Sequence, residues 1–294
     1  DRKGKPFGSG YEIFSTIAKD EPAFFLWLGD NVYLREADWD SHYGIYARYA
    51  HTRALLQSQA FFAALPQFAI WDDHGFGPND ASRSYTLSAV STQAFKDYWP
   101  DFNYPAEGLY RSFVWGDAEF FLLDNRSFRT PATRPGATIL GSRQKTWLVE
   151  SLIESRARFK FIVLGGQLLN SAAVFENYAT FPRERAELLN MIDEHRITGV
   201  LILSGDRHHS EISRLNQGQY PLHEFTVSPL TAGTFPGRRE NNRYRLEGSL
   251  FEERAYGIIE LSGPTSKRQI HFELKDTSGN TRNSYTIQAG DIGG

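Results

Sequence analysis

Apolar residues along this chain fall into short unbroken runs ended by glycine, aspartate or histidine, alternating with stretches where they recur every three or four positions. The first pattern marks strands buried on both faces and the second amphipathic helices, so their alternation predicts an α/β fold. Residues 10–19 carry Ile13, Phe14 and Ile17 at helical spacing, and Pro22 then opens a strand over Ala23–Gly29. Residues 38–64 read as helical, with Tyr43, Tyr46, Tyr49, Leu55, Phe61 and Phe62 on the buried side, and lead into a second strand at 67–72. A polar loop at 75–84, able to border a site, and a helix from about Ser91 to Trp99 follow. Leu109–Trp115 and Ala118–Leu123, split by Gly116-Asp117, predict a hairpin with a two-residue turn.

The helix–strand step then repeats. Helix Arg143–Ser155 precedes strand Phe159–Leu164, and a helix with Thr180 as N-cap, Pro182 just inside it and Leu188, Leu189 and Ile192 on its buried stripe precedes a strand at 199–203. Strands near 222–228, 256–262, 268–275 and 282–287 have no helix between the last three, so the tail should be antiparallel β. No repeat, low-complexity tract or Pro-rich linker divides the 294 residues, and a single domain over 1–294 is expected.

Composition narrows the function classes. With 40% hydrophobic and 23% charged residues the chain is an ordinary water-soluble globular protein. A net charge of -3 gives no general attraction to nucleic acid, so a phosphate-bearing substrate must be drawn in locally. The absence of cysteine excludes disulfides, a Cys-type zinc site and a thiol nucleophile in these residues. No apolar stretch approaches the ~20 residues of a membrane span, and Asp1-Arg-Lys-Gly-Lys-Pro6 holds no signal-peptide core. The sole methionine is Met191, from which we expect residues upstream of Asp1. Composition sets neither compartment nor oligomeric state.

The chemistry concentrates where three apolar runs stop: Gly29-Asp30-Asn31-Val32-Tyr33, Trp71-Asp72-Asp73-His74 and Ser204-Gly205-Asp206-Arg207-His208-His209. Carboxylates and imidazoles at the C-terminal edge of a parallel sheet occupy the usual place for a site, and they are the donors that hard or borderline metal ions take. Asp30 can bridge two cations, with Asp73, Asp206, His208 and the phenol of Tyr33 as further ligands. Such a cation pair polarises a phosphoryl group and activates water at neutral pH. His74, beside a ligand, is placed to give a proton to a leaving group. Taken singly, a strand-terminal Gly-Asp is more often a turn or helix cap, and Tyr33 a packed aromatic; only the combination argues for a metal centre. His42, His51, His195, His223 and His271 stand apart and read as surface or core histidines. Arg126 and Arg129, just beyond the hairpin, could fork onto a phosphate or equally bridge to Asp124 or Glu184. The basic stretch Pro236–Arg245 reads as a solvated loop or an anion-attracting lid.

Five segments, in order, resemble the alkaline phosphatase D family of calcineurin-like metallophosphoesterases: Trp27-Leu-Gly-Asp30-Asn31-Val-Tyr33, Trp71-Asp-Asp-His74-Gly-Phe-Gly-Pro-Asn79-Asp80, Leu123-Asp124-Asn-Arg126-Ser-Phe-Arg129, Phe181-Pro-Arg-Glu184-Arg185-Ala-Glu-Leu-Leu and Leu203-Ser-Gly-Asp206-Arg-His208-His209-Ser-Glu211-Ile. The resemblance implies a four-layer αββα sandwich of two mixed β-sheets flanked by helices. It implies two or more metal ions (Fe3+, Ca2+, Zn2+ or Mn2+) held by Asp30, Tyr33, Asp73, Asp206 and His208, with His74 catalytic and Asn79 near the site; beside it, the residues themselves offer Arg126 as a catalytic candidate and Asn31 and Arg129 as candidates for the substrate. Gln167 stands where the superfamily often has a histidine ligand, Asn125 reads as structural, and Ser228-Pro229-Leu230-Thr231 reads as a wall. A first strand ending in a metal-binding Cys or Asp should precede Asp1. The implied activity is hydrolysis of a phosphomonoester or phosphodiester on a small molecule or lipid, in a periplasmic or secreted protein. Competing readings are a metal-free glycosidase with paired carboxylates, and a structural calcium site or degenerate phosphate binder.

Overall fold

The computed structural model describes residues 11–101 and 103–293, so Gly10, where the first helix was expected to open, lies outside the description. Strands β1 (Phe25–Leu28) and β2 (Gln67–Ile70) come first, each preceded by helix: α1 (Glu12–Lys19), then α2 (His42–Ala54) and α3 (Leu56–Ala64). After α4 (Asp73–Phe76) and α5 (Ser88–Tyr98) come the hairpin β3 (Arg111–Trp115) and β4 (Ala118–Leu122), α6 (Gly141–Glu154), β5 (Phe159–Leu164), α7 (Pro182–Glu194) and β6 (Val200–Ser204). The chain finishes in β7 (Glu211–Leu215), β8 (Leu222–Thr226), β9 (Ala255–Ser262), β10 (Gln269–Asp276) and β11 (Thr281–Gln288).

Six strands form one mixed sheet in the order β3-β4-β5-β6-β8-β7, parallel except for β3 and β7 at its edges. Every residue of β5 and β6 is buried, because the sheet is covered on both faces. Alternate residues go to opposite sides. Ile162, Leu164 and Ile202 pack with Leu148 and Leu152 of α6 and Leu188 and Ile192 of α7. Phe161, Val163, Leu201 and Leu203 pack against Leu26, Phe68, Ile270, Phe272 and Ile287 of the second β layer. Over that layer lie α1 and α3, through Phe14, Ile17 and Phe61, and α2 and α5, through Ile45, Tyr49, Phe95 and Trp99. The order of layers is therefore helix, sheet, sheet, helix, as expected.

The second layer departs from the expectation of one mixed sheet. Among the described residues it is two pieces, the parallel pair β1-β2 and the antiparallel trio β11-β10-β9. Between the facing edges of β1 and β9 runs a cavity of about 770 Å³, lined by Phe24, Leu26, Phe120, Phe161, Ile259 and Leu261 and reaching Asp30, Tyr33, Asp206 and His208 at one end.

Smaller differences have local causes. The stretch expected as one helix breaks at Leu55, whose ψ of 128° is extended, and Tyr43 is 82% exposed rather than buried. Thr180 sits in a 3-10 turn (Tyr178–Thr180) and caps nothing; Phe181 precedes α7 without a side-chain cap. The sequence reading missed β7, because its inward face is polar: Glu211 and Ser213 are buried while Arg214 is exposed.

Candidate metal centre

Parallel strands bring their C-terminal ends to one edge. There Asp30 follows β1, Asp72, Asp73 and His74 follow β2, Gly165 follows β5, and Asp206 and His208 follow β6. Two glycines let the layers meet. A Cβ on Gly205 would stand 2.3 Å from the Leu28 carbonyl oxygen, and one on Gly165 would stand 2.2 Å from Asp72 Oδ2. Asp206 and His208 hold left-handed backbone, φ 64° and 55°, a strained conformation for non-glycine residues that clusters at functional sites.

Donor atoms of Asp30, Asp73 and His74 lie within 4.8 Å of one another. The backbone N–H of His74 donates to Asp30 Oδ1 at 3.3 Å and to Asp73 Oδ1 at 2.9 Å, fixing two carboxylates from one amide. Asp73 Oδ2 accepts the N–H of Asp80 at 2.8 Å, so the polar loop borders the site as expected. Tyr33 Oη is 3.1 Å from His208 Nε2, and its ring stacks obliquely on His74 at 4.6 Å between centroids. The N–H of His208 donates to Ser228 Oγ at 2.8 Å, and Pro229 to Thr231 line the adjoining cavity wall. The structure thus gathers Asp30, Tyr33, Asp73, His74 and His208 by direct contacts. Asp206, on the same loop as His208, is felt electrostatically by Asp30 and Tyr33.

Electrostatics show what this arrangement would accept. Burial drives the Asp30 carboxyl well above the carboxylate range, and Asp73, Asp72 and Asp206 add to the rise. Asp206 is raised by burial and then by Asp72 and Asp73. Asp30 opens partly toward the cavity, yet its Oδ2 and the Nδ1 of His74 are buried without a hydrogen-bond partner. Burial also pushes the Tyr33 phenol up, with Asp30, Asp206 and Asp73 adding to it, and pushes His208 down toward the neutral imidazole that a metal takes. Asp73 is the exception: against the upward push of burial, Arg126, His74 and the N–H groups of Asp80 and His74 hold it below the usual value. Crowded, half-satisfied oxygen donors with one neutral imidazole and a phenol fit hard or borderline cations.

Three assigned roles are corrected. Arg126 has 0% exposure; its Nε donates to Asp72 Oδ1 at 2.5 Å and its Nη1 to Glu176 Oε1 at 3.1 Å, so no part of the guanidinium faces a substrate. It is a bridge, but not to the acids expected: Asp124 is taken up by Trp71 and the N–H groups of Leu109, Arg126 and Ser127, and Glu184 by Thr138, Ile139 and Leu140. Arg129 is also buried, bound to Glu176 at 2.5 Å and lying over the Phe181 ring. Asn31 spends its amide on the Ile70 carbonyl at 3.0 Å and on Trp99 Nε1 at 3.1 Å, bracing β1 against β2 rather than facing a substrate.

Gln167 is not a ligand either, because its amide donates to Glu211 and Thr226 and accepts from Asn170. Asn79 stays exposed on the bordering loop. Asn125 is structural as expected, donating to Asp72 at 2.8 Å, and Arg238 is paired with Glu252. Sequence reasoning overlooked Asp72 and Glu176, whose carboxylates lie with that of Asp73 within 4.8 Å of one another. Asp72 was visible as half of an Asp-Asp pair. Glu176 lies in an irregular stretch and left no signal.

A family model described as PhoD-like phosphatase matches residues 4–261. The chain belongs to the PhoD-like phosphatase family. Alkaline phosphatase D of Bacillus subtilis (strain 168) is 28% identical over 208 residues, which cover 58% of this chain. The match spans only 35% of that relative's length. Among solved structures, one of PhoD superposes with a TM-score of 0.81 at 21% identity, covering 97% of this chain and 67% of the other. The purple acid phosphatase PPD1 from yellow lupin (Lupinus luteus) seeds superposes with a TM-score of 0.69 at 14% identity, covering 99% and 51%. These two structures share the fold of this PhoD-like chain. No helix of the described residues is long and apolar enough to cross a membrane.

Proposed function

We propose that this PhoD-like chain is a metal-dependent phosphoester hydrolase, acting on a phosphomonoester or phosphodiester. The observation that carries the reading is the convergence of Asp30, Tyr33, Asp73, His74 and His208, with Asp206, at one sheet edge in a state of mutual repulsion that cations would relieve. Asp30, Tyr33, Asp73, Asp206 and His208 would hold the ions. Tyr33 suits ferric iron, and the carboxylates suit calcium, zinc or manganese as well. Bound there, the ions supply Lewis acidity toward water and the phosphoryl oxygens.

The protein's own residues do the rest. The His74 ring, held by its backbone bonds to Asp30 and Asp73 and by the face of Tyr33, gives a proton to the departing alcohol. Arg126 never touches substrate; it sets Asp72 and Glu176 and keeps Asp73 ionised. Asn79, exposed beside Asp80, is the remaining candidate for contact with the substrate. A strand from outside the described residues, laid between β1 and β9, would close the second layer and deliver one more ligand beside Asp30 and Asp206; the apolar lining and the course of the cavity support this. An exported location, periplasmic or secreted, is supported by the family resemblance alone.

The test is hydrolysis of p-nitrophenyl and bis-p-nitrophenyl phosphate by protein loaded in turn with each of the four metals. Activity should vanish with chelator and with Asp30→Asn at unchanged circular dichroism. Chelator-resistant turnover, or an Asp30→Asn variant as active as the native protein, would defeat the proposal.

A further inference from the structure

Two exposed phenylalanines, on loops joined to the residues of the centre, touch each other. Phe175 is 60% and Phe235 36% exposed, with ring centroids 5.0 Å apart in an edge-to-face arrangement. Each is fastened to a different side of the site. Phe175 precedes Glu176, whose carboxylate clusters with Asp72 and Asp73 and is gripped by Arg126 and Arg129. The N–H of Phe235 donates to the carbonyl oxygen of His208 at 2.8 Å. Against Phe175, Arg207 places its guanidinium 4.7 Å from the ring centroid while the Nη2 of that same guanidinium pairs with Glu240, so the ring rests on a buried cation held by a carboxylate.

Phe175 also holds a φ of 50°, a left-handed backbone that a bulky side chain rarely adopts. The same residue thus combines a strained backbone with a ring left largely in water. A strained, exposed apolar pair on loops tied to a polar centre marks a surface suited to an apolar ligand.

We infer that Phe175 and Phe235 form an aromatic clamp that binds the apolar part of the substrate while its phosphoryl group sits at the Asp30–His208 centre. The inference rests on the phosphoesterase reading and narrows it to esters whose alcohol is aromatic or otherwise apolar. Sugar and glycerol phosphates lack the surface that the rings bury, so they gain nothing from the clamp. The rings do not touch the reacting atoms; they set specificity.

Two probes that share the phosphonate group and differ in the attached group decide it: phenylphosphonate and methylphosphonate. They are titrated by calorimetry into protein loaded with whichever of the four metals supports nitrophenyl phosphate hydrolysis. The native protein should bind phenylphosphonate at least about tenfold tighter, roughly 1.4 kcal/mol. Phe175→Gly suits the left-handed backbone, so Phe175→Gly/Phe235→Ser should fold and should bring the two affinities within about twofold. Methylphosphonate binding should be unchanged in it, and Phe175→Tyr/Phe235→Tyr should keep the preference. Equal affinities in the native protein, or a preference that survives in the Gly/Ser variant, would overturn the clamp while leaving the hydrolase reading intact. Binding of neither phosphonate would count against both.

Discussion

Replacing Arg126 by methionine separates its role as a bridge from a role at the phosphate. The native guanidinium is fully buried between Asp72 and Glu176, whose side chains are 1% and 9% exposed. Methionine roughly fills the space but brings no charge, leaving Asp72 and Asp73 without a cation in a region of low polarity while Glu176 keeps only Arg129. Removing one partner of a buried ion pair costs about 3–5 kcal/mol; Asp72 is orphaned while Glu176 retains Arg129, which places Arg126→Met at about 4 kcal/mol. For a chain of this size that lowers the melting temperature of the metal-free protein by about 6 °C. The pH dependence is the sharper signature. Burial already lifts Asp72 to about 6 even with Arg126 beside it. Without Arg126 its folded-state pKa rises further above the unfolded value, so the variant should lose stability as pH rises from 5 to 8 and recover part of it as pH falls and the carboxyl protonates. Thermal melts of both proteins at pH 5, 6, 7 and 8, with chelator present, provide the measurement. If the melting temperature stays within about 2 °C at every pH while turnover collapses, Arg126 acts on the phosphate and the structural argument is wrong.

Asp206→Asn should abolish turnover yet stabilise the chelated protein by about 1–2 kcal/mol, since it removes one of the repelling buried charges; a lower metal-free melting temperature would contradict this. His74→Ala should cut kcat/KM by about a hundredfold on an alkyl phosphoester and far less on the nitrophenyl ester, whose leaving group needs no proton; equal losses on the two would remove His74 as the acid. His223, far from the centre on β8, is pulled down to about 4 by burial and then by Arg214, against a bond to the Pro221 carbonyl and the charge of Asp291. Its folded pKa lies below the ordinary value of 6.5, so its stability contribution is complete above pH 6.5 and is lost as pH falls toward 4, about 3 kcal/mol in all. His223→Leu should therefore flatten the acid side of the stability curve; parallel curves for the two proteins would show that the histidine is not held neutral.

The parallel core was legible because β5 and β6 are covered on both faces and so read as unbroken apolar runs. Metal-ligand candidates were legible for a related reason: they stand directly after the apolar runs of β1, β2 and β6, where a rigid strand end fixes their position. What failed was every judgement that needed a partner from elsewhere in the chain. Arg126 and Asn31 look like residues free to meet a substrate until Glu176, Asp72 and Trp99 arrive from distant segments and consume their hydrogen bonds. β7 escaped notice because Glu211 faces inward, satisfied by Gln167, Asn242 and Arg245, and a buried acid is indistinguishable in sequence from a solvated one. The divided second layer was equally invisible, since β1 and β9 lie more than two hundred residues apart and nothing local records that their facing edges stay unpaired among the described residues.

The proposed ligands come from two different layers: Asp30, Tyr33 and Asp73 from the strand ends of β1 and β2, and Asp206 and His208 from the six-stranded sheet. Cations held there would rivet one layer to the other across the seam that the glycines leave narrow. In such a molecule the catalyst is also a fastener, so a drift in metal affinity during evolution would be felt as fragility before it was felt as slowness.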